Sequence, residues 1–256
     1  MAVQVLDRGA IRTITIDRPE RRNALDPATS AALGAALLQA AADDAVRVLI
    51  LTGAGDRAFC AGMDLRAFSE ARDGGSPTPP SGPGPEVLTE RPYPKPVIAA
   101  VNGAAVGGGF GLVLGCDVVV AAEHATFATP EVQRGLVGTG VTSRAALRLP
   151  PAIALELALT GEPIDAARAA ALGIVNHVVP SGTELAAALA LAERIAANAP
   201  MAVRVAKEIV YEARHLHDAF DLAALRAKAA PVIASDDAKE GARAFAERRP
   251  PQFKGR

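Results

Sequence analysis

Phe59-Cys60-Ala61-Gly62-Met63-Asp64-Leu65 and, about forty residues on, Asn102-Gly103-Ala104-Ala105-Val106-Gly107-Gly108-Gly109-Phe110 decide how this chain is read. Each stretch follows a β-branched run, Val46 to Thr52 in the first case and Val97 to Val101 in the second. Each then offers small residues where backbone N–H groups can come close to a ligand. Glycine permits both close approach and positive φ, and N–H groups left free at a turn or helix start bind an oxyanion. Two such turns can clamp one carbonyl oxygen.

Outward from the turns, strands and helices alternate. Ile11 to Asp17 alternates apolar and polar with period two, as a half-buried strand does, and Arg18-Pro19 ends it. Asp26 is placed as an N-cap with Pro27 at the first helical position, and the Ala/Leu-rich residues that follow predict a helix to about Ala41. The second turn leads into a helix reaching about Leu114. Val118 to Ala121, Ala125 to Ala128 and Ile174 to Val179 read as further strands, and Leu147 to Leu159 and Asp165 to Leu172 as helices. This alternation predicts an α/β fold. From Gly182 the pattern is helical throughout. Helices are expected over Thr183 to Asn198, over Met201 to about Ala229, and from a cap at Ser235 or Asp236 to near Arg248. The chain therefore divides into a core, residues 1–198, and a helical tail, residues 199–256.

Half of the 256 residues are hydrophobic, yet only 4% are aromatic and none is Trp, so the core must be built from Ala, Val, Leu and Ile. A net charge of −1 gives no field to concentrate nucleic acid or an anionic membrane. Cys60 and Cys116 have no CxxC or His-rich neighbours, which argues against a disulfide framework or a zinc site and for a reduced, cytoplasmic setting. The start Met-Ala-Val-Gln lacks the basic and apolar run of a signal peptide. Val113 to Ala122, interrupted by Gly115 and Asp117, is too short to cross a bilayer, and a soluble protein is expected.

The two turns, the entry Arg18-Pro19-Glu20-Arg21-Arg22-Asn23-Ala24-Leu25, the pair Pro130-Glu131 and the Ala-rich helical tail occur in the order in which the crotonase, or enoyl-CoA hydratase/isomerase, superfamily has them. The chain resembles that family from about Val3 to its C-terminus. The resemblance implies a spiral of ββα units with a C-terminal helical oligomerisation region, an acyl-CoA thioester as substrate, and a homotrimer or hexamer. It puts the carbonyl-binding N–H groups on Met63 and Gly108, where the donors are backbone and the side chain is immaterial. It puts the proton carrier at Glu131. It also implies that coenzyme A runs along the first turn, past Ala24, Leu25, Ala61, Asp64 and Leu65, with Arg66 near a phosphate. Arg21, Arg22 and Arg66 read equally well as solvated surface charges. No metal or redox cofactor is expected, coenzyme A being part of the substrate.

One position departs from the pattern. Family hydratases carry a second glutamate two residues beyond the Gly-Gly-Gly segment, and here that position is Gly111. A second acid/base group is typically worth about 10²–10⁴ in rate, so efficient hydration is not expected. A single carboxylate can still carry a proton from one carbon to another along an allyl system, as in the family's 3,2-enoyl-CoA isomerases. Double-bond isomerisation is therefore the preferred reading. Enoyl-CoA hydratase is the alternative within the enzyme class, and a non-catalytic acyl-CoA binding protein the alternative outside it. Asp117, Glu123, His124 and Arg134 are possible helpers, with Asp117 and His124 reading as structural.

Other uses of the same residues weigh less. Glu131 just after Pro130 would also suit a helix N-terminus. Gly107-Gly108-Gly109-Phe110-Gly111 is not GxGxxG, and Gly138-Thr139-Gly140-Val141-Thr142-Ser143 follows no good strand, so a dinucleotide turn is disfavoured. The chain contains neither GxxxxGK[ST] nor GxSxG. Asp73 to Pro85, rich in Gly, Ser and Pro, predicts a mobile loop, either a flap over the acyl end of the site or a tolerated surface insertion.

Overall fold

The computed structural model of the chain describes residues 2–73, 83–90, 93–215, 227, 230–231 and 233–252. Its plan is a strand–strand–helix unit used three times. A hairpin of Val3–Arg8 (β1) and Ile11–Ile16 (β2) and the helix Pro27–Ala42 (α1) come first. The units follow: Val48–Gly53 (β3), Ala58–Cys60 (β4) and Leu65–Asp73 (α2); after the short helix Glu86–Thr89 (α3), Val97–Val101 (β5), Ala104–Val106 (β6) and Gly108–Gly115 (α4). The third comprises Val118–Ala122 (β7), Thr126–Ala128 (β8), a 3-10 turn over Pro130–Arg134 and the helix Thr139–Arg148 (α5). Pro151–Thr160 (α6), Ile164–Asp165 (β9), Ala166–Ala171 (α7), His177–Val179 (β10), Glu184–Ala196 (α8), Pro200–His215 (α9) and Asp236–Glu247 (α10) complete the described elements.

The first strand of each unit joins a six-stranded sheet, ordered β1-β2-β3-β5-β7-β10, and the second joins a four-stranded sheet, ordered β4-β6-β8-β9. The neighbours β4, β6 and β8 run parallel, so their C-terminal ends lie along one edge. This is the α/β architecture that the alternation predicts and the spiral of ββα units that the family resemblance implies. Because β3, β5 and β7 are covered on both faces, they read as nearly continuous apolar runs. Leu49, Leu51, Val97, Ala99 and Val101 point into the main core with α1 and α4, while Val48, Ile50, Ile98 and Ala100 meet Ala188 and Ala192 of α8 on the other face.

Local signals act where the sequence puts them. The Asp26 carboxylate accepts the Thr29 N–H at 2.7 Å with Pro27 at the helix start, and Ser235 accepts the Ala238 N–H at 3.0 Å to start α10. Two expectations need correction, and one disfavoured reading is replaced. The helix expected over Leu147 to Leu159 is two helices, α5 and α6, broken at Leu149-Pro150 because Pro150 has no N–H to continue the ladder. The segment from Gly138, weighed as a glycine turn, caps and opens α5. The strand expected from Ile174 begins at His177, because the Ile174 and Val175 N–H groups bond the Ala169 carbonyl at the end of α7 instead of a ladder. Residues 74–82 of the Gly/Pro-rich segment, and most of 216–232, lie outside the described residues.

Candidate active site

The three chemical positions singled out in the sequence emerge just past the C-terminal ends of three adjacent parallel strands: Met63 after β4, Gly108 after β6 and Glu131 after β8. The carboxyl edge of a parallel sheet is where an α/β fold leaves free backbone and a crevice for a ligand.

The first turn is pinned from the N-terminal side. Leu25 donates its N–H to the Gly62 carbonyl at 2.7 Å and accepts the Asp64 N–H at 3.0 Å, a parallel bridge that pairs Leu25 with Met63. In extended backbone successive N–H groups alternate in direction, so the Met63 N–H points away from Leu25. The Gly62 N–H is already taken, by the Cys60 sulfur at 3.4 Å. Arg18 holds this corner together, with its guanidinium on the Ala24 carbonyl, on Asp26 at 3.0 Å and on Asp64 at 3.3 Å. Asp64 also accepts the Arg66 and Ala67 N–H groups, at 3.2 and 3.4 Å, at the start of α2. Thus Ala24, Leu25, Ala61, Met63, Asp64 and Leu65 form one cluster. Arg66 lies at its exposed rim, and Arg21 and Arg22 are exposed.

The second turn abuts the first. Gly62 (φ +78°) approaches it so closely that a Cβ there would stand 2.7 Å from the Val106 carbonyl oxygen and 3.0 Å from the Gly108 nitrogen. Gly107 turns the chain with φ +55°, and α4 begins at Gly108, whose N–H faces out of the helix start where no preceding helical carbonyl can take it. Two buried amides set the approach. Asn23 Nδ2 and Asn102 Nδ2 both donate to the Ala58 carbonyl, at 2.7 and 3.2 Å, and Asn102 Oδ1 accepts the Gly53 N–H at 3.1 Å.

Glu131 stands against this corner. Its Oε1 would lie 2.9 Å from a Cβ on Gly107, and its carboxyl is also in contact range of a Cβ on Gly138, so glycine at both positions makes room for the acid. Its Oε2 is buried and has no hydrogen-bond partner among the described residues. Burial pushes the Glu131 carboxyl above the ordinary carboxylate range, opposed by its own backbone N–H and by Arg134. Arg134 is itself tied down: it donates to the Pro130 carbonyl at 3.0 Å and lies 5.4 Å from the ring centre of Phe245 on α10. Gly241 of α10 packs on the Arg134 carbonyl, so the last helix rests on the turn that carries Glu131. That contact joins residues over one hundred positions apart and has no local sequence signal.

Gly111 is buried one turn into α4, and a Cβ there would have Val141 of α5 as its nearest neighbour, at 3.6–3.9 Å. The other candidates lie elsewhere. Asp117 accepts the Val97 N–H at 2.7 Å and binds Lys207 and Tyr211 of α9 at 2.7 and 2.9 Å. His124 bridges Ser181 at 2.6 Å and the Asp56 carbonyl at 2.9 Å, and Glu123 is exposed. Cys60, beside the first turn, is fully buried and its thiol is pushed up to about 12, which keeps it neutral.

Two abutting glycine turns and one buried acid at the edge of the spiral suit an enzyme that holds a carbonyl oxygen beside a proton carrier. Residues 7–256 match the family model described as enoyl-CoA hydratase/isomerase. The chain is 42% identical to a carnitinyl-CoA dehydratase of Proteus mirabilis, over 100% of this chain and 99% of the relative. Among solved structures it is similar to a carnitinyl-CoA hydratase of Mycobacterium avium (44% identity, TM-score 0.87) and to an enoyl-CoA hydratase of Mycobacterium tuberculosis (45% identity, TM-score 0.77), each covering 100% of this chain and 99% of the other. The chain belongs to the enoyl-CoA hydratase/isomerase family and is an enzyme of the crotonase type.

Proposed function

We propose that the protein is a cytoplasmic acyl-CoA enzyme that moves a proton along an acyl thioester, and that its main reaction interconverts 3-enoyl-CoA and 2-enoyl-CoA. Coenzyme A lies along the first turn, against Ala24, Leu25, Ala61, Asp64 and Leu65, with Arg66 toward phosphate. The Met63 and Gly108 N–H groups hold the thioester oxygen. The Glu131 carboxylate takes a proton from C2 of the 3-enoyl thioester, and the electron pair spreads through C4 and onto the thioester oxygen as a dienolate. The protonated Glu131 then returns the proton to C4, leaving the double bond between C2 and C3 and the carboxylate regenerated. Neither water nor an external reductant enters. Two positioned donors on the developing oxyanion, each worth about 10²–10³ in rate elsewhere, lower the barrier to the first transfer. In solution the protein forms a homotrimer or hexamer through its helical tail.

The observation that supports this reading best is the buried Glu131 oxygen, without a hydrogen-bond partner among the described residues, at the contact between the two turns, with apolar Val141 rather than a second acid opposite Gly111. The names of the relatives favour a second reading, addition or removal of water across the C2–C3 bond, in which Glu131 alone would serve both water and C2. Incubation with 3-hexenoyl-CoA and with crotonyl-CoA in heavy water, followed by mass spectrometry, separates the two. The expected result is a 3-to-2 shift with deuterium uptake and little 3-hydroxyacyl-CoA. Rapid formation of 3-hydroxybutyryl-CoA would establish the water reaction instead, and inertness to both thioesters would sink both readings.

A further inference from the structure

The geometry points to Val141 as the residue that keeps water off Glu131, and so to a Gly111–Val141 match as the determinant that separates proton shuttling from hydration; this rests on the function proposed above. Val141 is almost fully buried in the packing of α5 against α4. Its side chain has two neighbours that matter. On one side is Gly111, whose missing side chain leaves ordinary van der Waals contact, 3.6 Å from a would-be Cβ to the Val141 Cβ. On the other is Gly138, where a single Cβ would meet both Val141 Cγ1, at 2.7 Å, and the Glu131 carboxyl. A methyl group of Val141 and the acid therefore flank the same point.

The consequence is chemical. A water needs room and two to four polar partners to be held in a protein interior. Here the wall beside the acid is a methyl group of Val141, which fills space next to the carboxyl and offers a water no polar partner on that side. Several elements pack around Glu131. Its own turn supplies Arg134, the start of α4 supplies Gly107, and α5 supplies Gly138 and Val141. From α10 come Gly241 and Phe245, both on Arg134, while the acid of α6, Glu156, is paired with Arg168 at 2.8 Å. With the Val141 methyl closing that side to water, the protonated acid returns its proton to carbon. Val141 acts through Glu131 and is a positioning residue.

Two variants test this, Val141→Ala, which opens a space beside the acid, and Val141→Thr, which keeps the volume and adds a hydroxyl should the smaller residue fold poorly. The first readout is the ratio of 3-hydroxybutyryl-CoA formed from crotonyl-CoA to deuterium incorporated from heavy water. The second is the titration of the Glu131 carboxyl itself by carbon NMR, assigned by its loss in Glu131→Gln, which needs no turnover. The expected result is a rise in the hydration ratio of tenfold or more and a downward shift of the Glu131 titration in either folded variant. An unchanged ratio with an unchanged titration in both folded variants would overturn the inference. Wild-type protein inert to all thioesters would defeat the proposed function alone, and the titration would still decide whether Val141 desolvates the acid.

Discussion

At the scale of single residues, the Glu131 carboxyl, proposed above as the proton carrier, is seated by two glycines, Gly107 and Gly138, where any side chain would run into it. Glu131, Met63 and Gly108 were legible as candidates through the family resemblance that a proline-glutamate pair and two glycine turns carry. The fit of Glu131 between Gly107 and Gly138 was not, since it joins three segments. Burial raises the Glu131 pKa in the folded protein. Its contribution to stability is therefore fully present below the unfolded value of about 4.3 and is lost as pH rises through the higher folded value. Glu131→Gln should lower α-proton exchange about 10²–10⁴-fold while unfolding at an equal or higher temperature at pH 8, checked by deuterium incorporation and calorimetry. In the wild type, kcat/KM should rise with pH through a midpoint above the ordinary carboxylate range. Gly107→Ala forces a side chain to φ +55° and pushes on the Glu131 oxygen. It should cost about 1–3 kcal/mol of stability by urea unfolding and slow exchange further than the folded fraction explains.

At the scale of elements, boundaries followed the sequence where a local cap or proline sets them and departed where a tertiary contact does. Asp26-Pro27, Pro96 before Val97 and Ser235 each mark an edge that the structure keeps. The start of α5 was obscured because Gly138 and Gly140 look like a turn. Gly138 is small because Glu131 stands against it. β9, two residues long, has no periodicity to read. The placement of α9 on the core was equally silent, for it depends on Asp117, Lys207 and Tyr211 meeting across ninety or more positions. The Lys207 Nζ also donates to the Lys95 carbonyl at 2.8 Å. Lys207→Met would leave Asp117 with the Val97 N–H and the Tyr211 hydroxyl but without its cation. Removing one partner of a buried pair typically costs 3–5 kcal/mol; with Asp117 still 17% exposed, a loss of about 3 kcal/mol is expected in urea unfolding, with kcat per folded molecule little changed.

At the scale of the whole molecule, the α/β class followed from alternation and the spiral from the family resemblance, whereas the surface that α9 presents follows from the packing. With Lys207 and Tyr211 turned to the core, α9 carries Met201, Val205 and Ile209 at a spacing of four on its outward side, Met201 71% and Ile209 59% exposed. Residues four apart in a helix share one face, and a monomer rarely leaves a continuous apolar stripe in water. The proposed homotrimer or hexamer would cover it with copies of the same chain. A charge introduced there is tolerated by a monomer and expelled by an assembled interface, since burying an unpaired carboxylate is far costlier than exposing it. Ile209→Asp should therefore leave the fold intact by circular dichroism while converting the assembly to a monomer in analytical ultracentrifugation. Stability should change with it: the wild type should melt at a temperature that rises with protein concentration, as a linked assembly does, and the variant at a temperature independent of it. A wild-type sedimentation coefficient already that of a monomer would overturn this use of the tail and leave the apolar face of α9 to another partner.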